Sequence, residues 1–324
     1  MLLATVLGIA AVGCGGDETL EGSVRITGSS TVRPILSTVA GRFATEQPFV
    51  TFDVDAPGTA DGFTLFCDGL ADITGASRPI NDRERQDCES SGVDWVELVV
   101  GLDAIAVFTS TTNPATDCLT TAQLYALAGP EAQGRTTWVA AAGLADEVER
   151  GAGAALEARG AQPLVVVGPG IESGTRPTFI ELAIAPLAEQ REKAAALRSD
   201  TVSPSSPGLI VNEVGSRPGA IGFLGLSSLR GTEGIVTPVA LDGGAGCVVP
   251  SLASVADDTY PLTRRLFVYV ALEPNGTIPP VTAGLVDYLL SDEGFGLAEE
   301  AGALRLDDAT IDDVRQRWAD AVRR

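Results

Sequence analysis

The chain has no histidine, one lysine and one methionine among its 324 residues, and each scarcity removes a kind of chemistry. Without histidine there can be no Ser-His-Asp triad, no Cys-His pair and no imidazole ligand for a metal. Positive charge is also scarce: 22 Lys and Arg face 43 Asp and Glu, which leaves a formal charge of −21 and a pI near 4.3. A chain of that sign repels phosphodiester backbones, and no basic cluster offsets it, so nucleic acid is not an expected partner. No metal or cofactor is expected either. What is present is a hydrophobic content of 45%, too high for a solvated coil. Strand-like and helix-like stretches alternate throughout, which predicts an α/β class, and the length predicts about two domains.

One stretch organises the reading. From Leu164 to Phe179 a short β-branched run ends at Gly168, Pro169 and Gly170, and a helix is expected to begin near Ser173 to Thr175. A buried strand of a parallel sheet that turns into a helix start leaves main-chain N–H groups open at the positive end of the helix dipole. That is an arrangement suited to phosphate-like anions. The same residues are equally compatible with plain N-capping by Ser173 and Thr175.

Three further turns have this layout. Val24 to Thr27 reads as a strand, and Gly28-Ser29-Ser30-Thr31-Val32-Arg33-Pro34 turns it into a helix reaching about Glu46. Gly58-Thr59-Ala60-Asp61-Gly62-Phe63 opens a short helix that ends near Cys67. Ala71 to Ala76 is a short strand ending in Ser77 and Arg78, whose guanidinium offers a planar fork of donors to an oxyanion. An isolated arginine after a strand is otherwise a solvated or ion-paired surface residue.

Met1 to Gly13 is an apolar run followed by Cys14, similar to a signal peptide with a bacterial lipobox; on that reading Cys14 carries lipid. The remaining four cysteines, Cys67, Cys88, Cys118 and Cys247, form an even set in an exported protein. Of the three pairings, Cys67 with Cys88 and Cys118 with Cys247 is favoured, because the first pair brackets one local segment. Unpaired buried thiols are the alternative.

Taken together, Gly28-Ser-Ser-Thr, Gly58-Thr with Gly62-Phe63, Ala76-Ser-Arg-Pro-Ile and Gly170-Ile-Glu-Ser-Gly-Thr, in that order, resemble the phosphate-binding proteins of bacterial phosphate ABC transporters. Ala220-Ile-Gly-Phe223 and Tyr260 to Val270 extend the resemblance over nearly all of the mature chain. It implies a two-lobed, periplasmic-binding-protein-like (type II) fold with hinge-crossing strands near Ala104 to Thr109 and Leu266 to Val270. Residues 1–14 would be signal and lipidated cysteine, 15–23 a tether, 24–107 plus 267–324 lobe one, and 108–266 lobe two.

Residue by residue, the resemblance implies that Ser30, Thr31 and Val32, then Thr59, then Ser77 and Arg78, then Ser173, Gly174 and Thr175 hold phosphate. Arg78 stands where the best-known members have aspartate, as in a subfamily with an Ala-Ser-Arg motif. Pro169 or Gly170 stands where they have an arginine. An acceptor for the phosphate proton would then come from Asp61 or Glu172. The implied protein is an exported, membrane-tethered monomer that hands inorganic phosphate to ABC transporter permease subunits and performs no chemistry. A sensor or adhesin on the same fold is the alternative; a hydrolase using Ser173 would lack a base. Replacing Cys14 with Ala is expected to move the protein from the membrane fraction to the soluble one, since its lipid chains are the expected anchor. Continued membrane retention of Cys14→Ala would refute the lipid assignment.

Overall fold

The computed structural model describes residues 19–113, 117–171 and 173–323, so Cys14 and Glu172 lie outside the described residues. The chain begins with β1 (Glu21–Gly28), α1 (Arg33–Glu46), β2 (Phe49–Val54), α2 (Thr59–Cys67), β3 (Ile73–Ala76), α3 (Asp82–Ser91) and the long β4 (Trp95–Ser110). It continues through β5 (Cys118–Thr120), α4 (Thr121–Ala128), α5 (Trp138–Val148), α6 (Gly153–Glu157), β6 (Val165–Val167), α7 (Thr175–Phe179), α8 (Ala185–Gln190) and α9 (Pro207–Ser216). Next come β7 (Ala220–Gly225), β8 (Val236–Pro238), β9 (Ala240–Asp242), β10 (Cys247–Val248) and α10 (Leu252–Ala256). The chain returns on β11 (Thr263–Ala271) and closes with α11 (Pro280–Leu289), α12 (Asp292–Glu300) and α13 (Asp308–Val322).

The main sheet runs β2-β1-β3-β11-β4-β7-β6, with β8 also on β4. β1 is parallel to β2 and β3, and β6 is parallel to β7, as expected for strands that feed crossover helices. β4 and β11 run antiparallel to their neighbours and knit the two parallel parts together. From Trp95 to Ala104, β4 pairs with β11; from Ile105 onward it pairs with β7 and β8. The apolar interior divides at the same point. One core holds Leu98, Ala104, Val268 and Trp318, and another holds Ile105, Tyr125, Trp138 and Phe223. The molecule is thus two α/β lobes with a shared strand.

Close approaches of glycine set where the loops of lobe one meet. A Cβ on Gly62, in the first turn of α2, would lie 2.4 Å from the Gly28 Cα at the end of β1. A Cβ on Gly75 would lie 2.8 Å from the Val32 side chain. Gly28 has φ +117°, and the Gly58 N–H donates to its carbonyl at 3.0 Å. Three strand-to-helix turns are thereby packed into one place. In lobe two, Gly168 leaves room for the Phe223 ring, and Phe223 of β7 stacks on Phe179 with centroids 4.0 Å apart, which seats α7 against β7.

Two disulfides brace these parts. Cys67–Cys88 ties the end of α2 to α3, and Cys118–Cys247 ties β5 to β10, both of which flank β9. Both are the favoured pairings. Among the described residues no helix is long and apolar enough to cross a membrane.

Closing loops of 21 and 129 residues, the bridges are each expected to stabilise by about 3 and about 5 kcal/mol in the chain-entropy model. Urea unfolding of the Cys67→Ser/Cys88→Ser and Cys118→Ser/Cys247→Ser double variants should lower the midpoint in both, more in the second. A midpoint unchanged from wild type, or four free thiols on titration of the native protein, would refute the bridges. Gly62→Ala should also destabilise, by about 1–3 kcal/mol, because the added methyl meets backbone rather than a movable side chain. Thermal unfolding at wild-type midpoint would show that α2 is free to shift away from Gly28.

Candidate functional site

The described helices begin in two ways, with and without a side-chain cap. Helices α3, α4, α5, α9, α10, α12 and α13 each begin with a side chain that accepts from the first turn. α1, α2 and α7 begin at Val32, Gly58 and Gly174 with no side-chain cap, as do α6, α8 and α11 farther away. Val, Gly and Gly cannot supply one, and the consequence differs among the three: in α1 the Arg33 N–H donates to the Ser29 carbonyl at 2.9 Å and Pro34 has no N–H, whereas in α2 the N–H groups of Thr59, Ala60 and Asp61 are left for another acceptor. In α7 the Ser173 hydroxyl and carbonyl accept from the Thr175 and Arg176 N–H groups, each at 3.3 Å, and Pro177 has no N–H, so that first turn is already satisfied.

These helix starts converge from both lobes. A Cβ placed on Gly174 would lie 4.0 Å from the Ser30 carbonyl oxygen, so the turn before α7 faces the turn before α1. The Thr31 hydroxyl of lobe one and the Thr178 hydroxyl of lobe two are 3.4 Å apart. Thr59 and Ser77 sit together, with hydroxyl oxygens 3.1 Å apart and the Ser77 N–H donating to Thr59 Oγ1 at 3.3 Å. Thr31, Gly174, Thr175 and Thr178 line an interlobe cavity of about 230 Å³ together with Asp103 and Ser228.

Arg78 is not a free cation. Its Nη1 and Nη2 donate to Glu84 Oε2 and Oε1 at 2.8 and 2.7 Å, and its guanidinium lies 5.9 Å from the Phe63 ring centroid. Glu84 belongs to the capping box of α3, where Asn81 accepts from the Glu84 N–H. The Glu84 hydrogen bonds hold the Arg78 pKa above its ordinary value, against the opposing effect of burial. With 35% of its side chain exposed, Arg78 keeps donors that Glu84 does not use. Glu84 therefore fixes its direction, and the Cys67–Cys88 bridge fixes the helix that carries Glu84.

Asp61 is exposed in the first turn of α2. Arg176, just past the Ser-Gly-Thr turn, folds back so that its Nη1 donates to the Pro169 carbonyl at 3.2 Å. A guanidinium is thus supplied from downstream to the loop in which Pro169 and Gly170 carry none.

Sequence reasoning missed a buried charge between the lobes. Arg264 is only 8% exposed and stands opposite Asp103 in the antiparallel register of β11 and β4. Its Nε donates to Asp103 Oδ2 at 3.2 Å, its Nη1 to Glu181 Oε2 at 2.6 Å, and its Nη2 to Thr31 Oγ1 at 2.7 Å and to Thr178 Oγ1. Glu181 comes from a π-helical turn, Ile180–Ile184, that joins α7 to α8. A lone aspartate in the apolar run Val99 to Phe108, and an arginine at a core-facing position of another apolar strand, were the available signals.

With this geometry in view, the comparisons with known proteins are specific. The model of a family described as the PBP superfamily domain matches residues 15–293. Protein SphX of Synechocystis sp. is 33% identical over 267 residues, covering 82% of this chain and 72% of that protein. The phosphate-binding protein PstS of Staphylococcus epidermidis is 26% identical, covering 92% of this chain and 86% of that protein. The crystal structure of a possible phosphate binding protein from Planctomyces limnophilus superposes with a TM-score of 0.80 at 29% identity, covering 94% of this chain and 99% of that one. Two lobes on a shared strand, opposed helix starts and the extent of these matches lead to one assignment: the chain belongs to the PBP superfamily.

Proposed function

We propose that this chain is the phosphate receptor of an ABC transporter, binding the anion between its lobes without covalent chemistry and presenting it to permease subunits. The observation that carries the reading is the convergence of three helix starts without side-chain caps on one cleft, in a chain whose other long helices are nearly all capped. A tetrahedral oxyanion would accept from the open first turn of α2, and the dipoles of α1 and α2 favour its charge. Ser30, Thr31, Val32, Thr59, Ser77, Ser173, Gly174 and Thr175 would donate from hydroxyl or main-chain groups, with Arg78 adding charge-assisted bonds. Similarity to proteins named for phosphate binding supports the same ligand.

The hinge is proposed to lie where β4 changes partners, at Ala104–Ile105, and where the chain re-enters lobe one at Leu262–Thr263. The proton of hydrogen phosphate needs an acceptor. Asp103 is favoured over Asp61, because Asp103 lines the cavity whereas Asp61 faces solvent, and Glu172 lies outside the described residues. A lipid on Cys14 would tether the receptor at the membrane beside its permease.

Calorimetric titration of ligand-stripped protein should give tighter binding of phosphate than of sulfate. Arg78→Ala should weaken phosphate binding at least about tenfold, the loss of about 1.4 kcal/mol of charge-assisted bonding. Asp103→Asn should narrow the preference over sulfate, whereas Asp61→Asn should keep it. Absence of phosphate binding by the wild type would overturn the reading.

A further inference from the structure

We infer that Arg264 is a positioning residue that pins the two lobes together and, by doing so, turns the Thr31 hydroxyl into a donor aimed at the bound anion. This inference deepens the receptor reading above and rests on it for its ligand.

The four partners of Arg264 divide evenly between the lobes. Asp103 and Thr31 belong to lobe one; Thr178 and Glu181 belong to lobe two. Arg264 itself begins the strand that re-enters lobe one, one residue past the proposed hinge, so it moves little when the lobes open. Opening must instead withdraw Thr178 and Glu181 from it. A guanidinium can serve all four at once because its three nitrogens are spread in one plane; an ammonium group is a single point and cannot.

Proton accounting then gives the direction of Thr31. Arginine has no acceptor, so both threonine oxygens must accept from Nη2. The Thr178 proton is committed to the Gly174 carbonyl, 2.9 Å away. Among the described residues the Thr31 proton has only the Thr178 oxygen, at 3.4 Å, or the cavity that Thr31 lines. An anion in that cavity is the better acceptor. Thr31 therefore donates to the ligand while accepting from Arg264, and such a chain of hydrogen bonds strengthens along its length.

Local neutrality separates this role from simple attraction. Asp103 and Glu181 both pair with Arg264, so the cluster brings no net positive charge to the ligand. Its contribution is alignment: the same guanidinium places Thr31 and Thr178, and with them the turns that start α1 and α7.

The test is a double-variant cycle on phosphate affinity with Arg264→Gln, Thr31→Val and their combination, with circular dichroism checking that each is folded. Arg264→Gln is expected to weaken phosphate binding at least about tenfold, equal to about 1.4 kcal/mol. In the Thr31→Val background the same change should cost under about threefold, because the hydroxyl it orients is already gone. Combined with Arg78→Ala, in contrast, the two penalties should multiply. Wild-type affinity in Arg264→Gln, or penalties that multiply fully with Thr31→Val, would overturn the inference. Should Arg264→Gln not fold, Arg264→Lys takes its place in the cycle, since it keeps the charge but as a single point cannot serve both threonines and both carboxylates, and the same outcomes apply.

A ligand-free measurement separates this inference from the receptor reading. By small-angle X-ray scattering without phosphate, Arg264→Gln, or Arg264→Lys in its place, should have a larger radius of gyration than wild type. An unchanged radius would refute the pin even if wild type binds phosphate. A larger radius in a protein that binds no phosphate would uphold the pin and refute the ligand.

Discussion

Everything in the molecule depends on the double pairing of one strand. β4 is 16 residues long, and its first ten residues are held by β11 while its last six are held by β7 and β8. Because a strand is laterally stiff but twists readily, it can belong to two cores and still let them rotate about its middle. The residues at that middle are therefore the ones whose environment changes most when the lobes move. Asp103 lies immediately before the change of partner, and Arg264 is its cross-strand neighbour, so a charged pair sits where motion and ligand meet.

Stability and binding make opposite demands on the cleft. An open first turn costs a helix about 1 kcal/mol, so the one at α2 is a loss smaller than what one disulfide returns. The Cys67–Cys88 bridge is placed where that matters, between the helix that begins at the cleft and the helix whose capping box steadies Arg78. The same segment also carries the tight Gly28–Gly62 approach. Lobe one is rigid where the ligand needs unsatisfied donors, and the donors remain unsatisfied because the rigidity comes from elsewhere.

The parts legible in the sequence were those with local causes. A β-branched run broken by glycine and proline located β6 and the start of α7, and Pro34 located the start of α1, because backbone restriction acts within a few residues. The disulfide bracket of Cys67 and Cys88 was legible for the same reason. Arg264 was not, because its meaning depends on a register between strands separated by some 160 residues and on a helix from the other lobe. Nor was the tie between Arg78 and Glu84. Six residues separate them, yet only the folding back of Pro79 to Asn81 brings the carboxylate under the guanidinium. Charge in a sequence announces itself; its partner does not.

The helix that carries Thr178 and Glu181 holds one turn wider than its neighbours, over Ile180–Ile184. A π turn is an α-helix with one residue too many, and it is less favourable than the regular helix it interrupts. Loss of a single codon there would remove the extra residue from the turn that precedes Pro186, whose ring cannot donate within a helix. It would also rotate Glu181 about the helix axis relative to the residues that follow, and take the carboxylate out of line with Arg264. A deletion one residue long would thus act on the tie between the lobes, so in this segment the length of the chain is itself a functional property.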